Sequence, residues 1–212
     1  LPARRQCEPP AAQVRVAGLG DRLLLNRAGS SSVKIHLPYD GTSIRFPKDQ
    51  TMTANPLADL KTRLRGELIT RDDQKAFTAA RFRGWNRDLN TRSNPLGFVI
   101  ASGVRDIATT VTYCRSNKSP ITVRGKGSHS PYGMANDAVV IDLSKMTAVR
   151  VDPEKKLVAI QAGADGGDVD HEPAHPNLVC LTGSGSHTGF AGFALGGGIG
   201  PLRRGLGAVV GS

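Results

Sequence analysis

The sequence is poor in the residues that would announce several common classes of protein. Three cysteines, Cys7, Cys114 and Cys180, form no CxxC pair and leave one over. A disulfide framework or a zinc knuckle is therefore not indicated. Cys114 and Cys180 sit in apolar contexts and read as buried thiols. Aromatics make up only 5% of the 212 residues, with Trp85 the single tryptophan, so basic residues are not interleaved with stacking side chains. No apolar run approaches the roughly 20 residues that span a bilayer, and the first residues lack the apolar core of a signal peptide. The compartment stays open.

Charge is present but unevenly placed. Residues 1–94 hold 17 Lys and Arg against 9 Asp and Glu, whereas residues 95–212 hold 11 against 9. The arginines of the first half are scattered among acids and prolines and form no stripe. They read as a basic solvated face, with no nucleic-acid partner and no membrane partner expected. A basic nucleic-acid-binding protein stays the least favoured alternative, and it would show steeply salt-dependent affinity.

Several catalytic patterns fail on inspection. Gly18 and Gly20 begin a dinucleotide fingerprint whose third glycine is Leu23. Gly125-Lys126 lacks both the earlier glycine and the following Ser or Thr of a Walker loop. His171-Glu172-Pro173-Ala174-His175 spells a zinc-protease motif, but its prolines are incompatible with the helix that would align both histidines, and no metal is expected.

Glycine is what the chain has in quantity, 25 residues of it. A basic turn, Arg124-Gly125-Lys126-Gly127-Ser128-His129-Ser130, is followed by the run Thr188-Gly189-Phe190-Ala191-Gly192-Phe193-Ala194-Leu195-Gly196-Gly197-Gly198-Ile199-Gly200. Glycine admits positive φ and carries no Cβ, so backbone N–H groups can approach a phosphorylated ligand. A flexible linker would not carry Phe190, Phe193, Leu195 and Ile199. Two such runs joined by strand-like segments suggest a wrapped nucleotide cofactor.

Residues 1–55 read as an irregular extension with short strands at Gln13–Val16 and Val33–Leu37. Residues 56–94 read as a helical lead-in, with Leu57, Leu60, Leu64 and Leu68 at helical spacing over 56–83. Beyond it, strands are predicted at Phe98–Ala101, Ile121–Val123 (buried), Ala138–Leu143, Val149–Val151 and Leu157–Gln161. A helix over Asp106–Cys114 should bury Ile107, Val111 and Cys114. This alternation indicates an α/β or α+β domain.

Six ordered landmarks across about 65–207 carry a family resemblance. They are Leu64–Thr70 with Trp85-Asn86, Phe98–Ile100 with Asp106-Ile107, Val123–Ser130, Val140–Ser144, Ala162–Asp170, and Thr188–Gly200. Together they resemble the N-terminal part of the FAD-binding domain of p-cresol methylhydroxylase / vanillyl-alcohol oxidase type flavoproteins, as found in berberine-bridge-enzyme-like oxidases. The resemblance narrows the fold to α+β, with short strands and helices on one side over 95–212, preceded by the lead-in and the extension. It implies FAD, held by Arg124, Gly125, Lys126, Gly127, Ser128, His129, Ser130, Thr188, Gly189, Gly192, Gly197 and Gly198, with Arg124 and Lys126 near the pyrophosphate charges.

It further implies a covalent flavin link through His129, although Arg124 and His129 stand five positions apart where the family has four. No second link is expected, because its cysteine would fall near Gly185. The implied reaction passes hydride from an alcohol or amine carbon to flavin N5, with oxygen as final acceptor. The family continues into a substrate domain that supplies the base, so the catalytic residues are not expected within these 212 positions. The chain is expected to be a fragment, a degenerate copy or one piece of an assembly. A non-catalytic nucleotide-binding remnant is the alternative function.

Overall fold

The structure is a computed structural model in which residues 14–15, 57–128, 134–171, 179–207 and 209 are described. Its heart is a four-stranded sheet ordered β2-β3-β5-β4, formed by β2 (Glu67–Thr70), β3 (Gly97–Ile100), β4 (Ile121–Arg124) and β5 (Val139–Asp142). β3 and β5 are parallel neighbours, with Phe98 opposite Val140 and Val99 opposite Ile141. Both are buried along their full length, as central strands covered on two faces must be. The parallel connection from β3 is made through α4 (Val104–Ser116).

Alternation along the strands sorts the core into two layers. Phe98, Ile100 and Val140 point toward α2 (Gln74–Phe82), where Phe77 meets Phe98 edge-on at 5.3 Å between ring centroids. Val99 and Val139 face Cys114 of α4 and Leu60 of α1 (Ala58–Arg63). Each such buried side chain contributes about 1.5–3 kcal/mol. Helices therefore lie on both faces: α2 adds a layer opposite the one held by α1 and α4.

A second, three-stranded sheet is ordered β1-β7-β6. Here β6 (Val149–Asp152) and β7 (Leu157–Ile160) form an antiparallel hairpin, and β1 (Val14–Arg15) adds in parallel to β7. Val149 and Ile160 share a core with Val169 of α5 (Gly166–His171) and Phe190 of α6 (Phe190–Leu195). Leu143, Met146 and Ala162 join the two regions. The helices α3 (Arg87–Arg92) and α7 (Arg203–Leu206) complete the described elements.

Three sequence expectations change. The leucine spacing over 56–83 does not mark one helix: the chain leaves α1, passes Gly66 and enters β2 before α2 begins. A Cβ at Gly66 would fall inside contact distance of the Ile100 carbonyl oxygen, so the strand pairing claims a backbone position that no side chain could share. Leu64 and Leu68 still pack on the same core. In α4 the buried face is Asp106, Thr110 and Cys114, while Val111 is exposed. Asp106 is drawn inward because its carboxylate accepts hydrogen bonds from the N–H groups of Arg65, Gly66 and Ser102 and from the Ser102 hydroxyl. Burial raises its pKa, but these bonds outweigh burial and hold it below the usual carboxylate range. Finally, β4 is an edge strand, with Ile121 and Val123 exposed. The strand expected at Val33–Leu37 lies outside the described residues, as does Cys7. Cys114 is buried and Cys180 partly so.

Candidate functional site

The basic turn leaves β4 at Arg124. Alternation turns this side chain inward, where the sheet register sets it directly across from Asp142. Its Nε donates to Asp142 Oδ2 at 2.7 Å, with Nη2 in ion-pair contact with the same oxygen at 2.5 Å. Arg83 also pairs with that oxygen. The Arg124 guanidinium lies 5.2 Å from the centroid of the Phe98 ring, a cation–π distance. Burial alone would raise the Asp142 pKa. Arg124 first, then the Ser144 hydrogen bond and the Arg83 charge, bring it below the usual range. Arg124 thus anchors the start of the turn within the sheet.

The following residues are held from outside. A Cβ on Gly125 would stand 2.8 Å from the Ala162 carbonyl oxygen, so the absence of a side chain lets the turn lie against the second region. Gly127 has φ +79°, a left-handed conformation natural to glycine. Its carbonyl accepts from the Trp85 N–H at 3.0 Å. Lys126 Nζ lies 2.8 Å from Asp165 Oδ2 and 3.8 Å from Asp168 Oδ2. The Ser128 hydroxyl oxygen accepts the Gly189 N–H at 2.8 Å. Among the described residues, the backbone N–H groups of Gly125, Lys126, Gly127 and Ser128 meet no acceptor.

Thr188 and Gly189 close on this turn through a backbone bridge. The Gly166 N–H donates to the Thr188 carbonyl at 3.0 Å and the Phe190 N–H to that of Ala164 at 2.9 Å, pairing Asp165 with Gly189. A Cβ at Gly189 would approach Lys126 Cβ to 2.9 Å. Asp165 and Asp168 fix one another, each accepting the other's backbone N–H at 3.0 Å at the start of α5. For Asp165, burial raises the pKa. The Lys126 hydrogen bond, the Asp168 N–H and the Lys126 and His187 charges together lower it below the usual range.

The structure therefore gathers residues 124–128 with Thr188 and Gly189. Gly192 lies within α6 with open space where a Cβ would be. Gly197, at φ +80°, turns the chain out of α6, and Gly198 lies against the ring of Phe193. His129 and Ser130 lie outside the described residues, as do Glu172 and His175; His171 is exposed at the end of α5. No group of three potential metal ligands occurs among the described residues. Sequence reading missed two carboxylates. Asp142 had a signal, being a lone charge inside the apolar run 138–143. Asp165 had another in the Asp165-Gly-Gly-Asp168 capping spacing.

The turn and the second glycine segment thus meet in a glycine-lined junction on an α+β scaffold. The family described as FAD binding domain matches residues 95–211. The FAD-linked oxidoreductase YgaK of Bacillus subtilis (strain 168) is 34% identical over 148 residues, covering 69% of this chain and 32% of that protein. The (R)-6-hydroxynicotine oxidase of Paenarthrobacter nicotinovorans is 33% identical over 141 residues, covering 66% and 30%. The solved structure of 6-hydroxy-D-nicotine oxidase from Arthrobacter nicotinovorans superposes with a TM-score of 0.61 at 31% identity, over 69% of this chain and 32% of that one.

The chain belongs to the FAD-linked oxidoreductases with an FAD-binding domain of the p-cresol methylhydroxylase and berberine-bridge-enzyme-like type. Its cofactor is FAD. It spans about a third of the length of the curated relatives it matches. No described helix is long and apolar enough to cross a membrane.

Proposed function

We propose that this chain is the cofactor-holding part of an FAD-dependent oxidase. In it residues 124–130 and 188–189 cradle the FAD pyrophosphate, and Gly192, Gly197 and Gly198 line the continuation of the site. The observation that carries the proposal is the junction itself. Ser128 and Gly189 are hydrogen-bonded at 2.8 Å beside four backbone N–H groups that meet no acceptor among the described residues. An anion placed there would complete their hydrogen bonding.

Arg124 and Lys126 are already paired with Asp142 and Asp165, so their charges shape the turn while the N–H groups face the phosphates. Bound there, FAD supplies the two-electron acceptor of an alcohol- or amine-oxidising reaction that ends on oxygen. The chain's own residues bind and orient it. His129, immediately beyond Ser128, is assigned the covalent link to the isoalloxazine ring. The domain is assigned to 95–212, the helical lead-in to 56–94 and the extension to 1–55. Partners are FAD and, where a substrate domain completes the chain, a small-molecule substrate, with no nucleic acid and no membrane. Oxidase activity in this family is supported by the nicotine oxidase relative.

The test is an intact mass and a denaturing gel viewed under ultraviolet light, on chain refolded with FAD. A fluorescent band and a gain of one FAD, both lost in His129→Ala, support the link. An unmodified mass with flavin absorbance retained after dialysis removes the link but keeps the cradle. Loss of flavin on dialysis favours a nucleotide-binding remnant.

A further inference from the structure

We propose that Lys126 is a positioning residue: through Asp165 it latches the first glycine segment to the second before the cofactor arrives. The inference rests on the reading of these segments as the FAD cradle, and it assigns Lys126 a role other than direct phosphate contact.

Three observations converge on it. Lys126 Nζ sits 2.8 Å from Asp165 Oδ2, with the lysine side chain two-thirds covered and that of Asp165 nine-tenths covered. Asp165 is itself fixed from two directions. Its backbone is bridged to Gly189, and its Oδ1 accepts the Asp168 N–H at 3.0 Å. The junction is closed a second time two residues further on, by the 2.8 Å bond from the Gly189 N–H to Ser128 Oγ. The ion pair and the hydrogen bond thus tie one strand-to-turn segment to one bridge at two points, with Gly189 lying against Lys126 Cβ between them.

The electrostatics favour this division of labour. Asp165 and Asp168 would repel a pyrophosphate approaching the N–H groups of 125–128, and Lys126 offsets the nearer of the two charges. A lysine held this way loses no further side-chain entropy when the cofactor binds, because it is ordered beforehand. Ordering a loop in advance raises affinity without a new contact to the ligand.

The sign of one substitution separates the latch from a direct contact. FAD dissociation constants would be measured by flavin fluorescence for the parent, Asp165→Asn, Lys126→Met, Lys126→Arg and the Lys126→Met/Asp165→Asn pair. Amide exchange of 183–189 would be followed in the cofactor-free chains. The latch predicts that each single loss weakens FAD about tenfold, and that the double is no weaker than either single, as for directly coupled residues. It also predicts faster exchange in both single variants and rescue by Lys126→Arg.

Affinity kept or improved in Asp165→Asn while Lys126→Met loses it would overturn the latch and assign Lys126 to the phosphates. Unchanged exchange in both would overturn it too. The Asp165→Asn variant keeps a side-chain oxygen for the Asp168 N–H; if it still fails to fold, Lys126→Met carries the exchange test alone. A parent that binds no FAD refutes the cradle, and the cofactor-free exchange still decides the latch.

Discussion

Arg124 and Lys126 are two residues apart on one turn, and they face different parts of the molecule. Arg124 points into the four-stranded sheet, where its side chain is 8% exposed against a fully buried Asp142. Lys126 points across the turn to Asp165 and keeps a third of its surface in contact with solvent. The first pair belongs to the core and the second to the junction of the glycine segments. Both charges of the basic turn are paired with carboxylates, and these pairs hold the turn in shape.

The largest effect is expected at Asp142. Asp142→Ala leaves Arg124 buried without its counter-charge and should cost about 3–5 kcal/mol, read as a lower urea midpoint. Replacing both partners, as Arg124→Met/Asp142→Leu, should recover much of that loss, since an apolar pair needs no desolvated charges. No recovery would show that Arg83, which shares Asp142, depends on the pair more than its 40% exposure suggests.

At the other pair, Gly189→Ala should leave the fold largely intact. It pushes its Cβ against Lys126 and weakens FAD binding by about 1 kcal/mol, the low end of overpacking. A titration of FAD against this variant reads the effect.

The pH response follows from the lowered carboxylates Asp142, Asp165 and Asp106. The stability they contribute is fully present above the unfolded carboxylate pKa of about 4, and it is lost as pH falls through their lower folded values. Urea midpoints across this range should fall with acid, less steeply in Asp142→Asn. The smallest effect belongs to the exposed Arg92–Asp88 pair on α3, where Arg92→Ala should change stability by no more than about 0.5 kcal/mol.

What the sequence disclosed depends on how local the deciding interaction is. Strands β3, β5, β6 and β7 are legible because short apolar runs between turn residues carry their own signal. That β4 lies at an edge is not legible, because β5 enters between β3 and β4 from further along the chain. The buried face of α4 keeps Cys114 and part of Ile107 but takes in Asp106 and Thr110, with Val111 exposed. Its deciding residue, Asp106, answers N–H groups some 40 residues earlier.

At the site, the glycines are read from sequence as room for a phosphorylated ligand; in the fold, Gly125 makes room for the Ala162 carbonyl and Gly189 for Lys126 Cβ. The carboxylate partners did not follow from spacing. Asp142 is matched to Arg124 by sheet register, and Asp165 to Lys126 by a bridge between distant segments.

FAD is proposed to sit where the two glycine segments meet. Backbone amide exchange with and without FAD tests it most directly, because the N–H groups in question meet no acceptor among the described residues. Protection on adding FAD, concentrated at 125–128 and 183–189 and absent from the surface hollow lined by Asp59, Arg63, Thr112 and Tyr113, is the predicted result. Protection elsewhere with these two segments unchanged would contradict the claim.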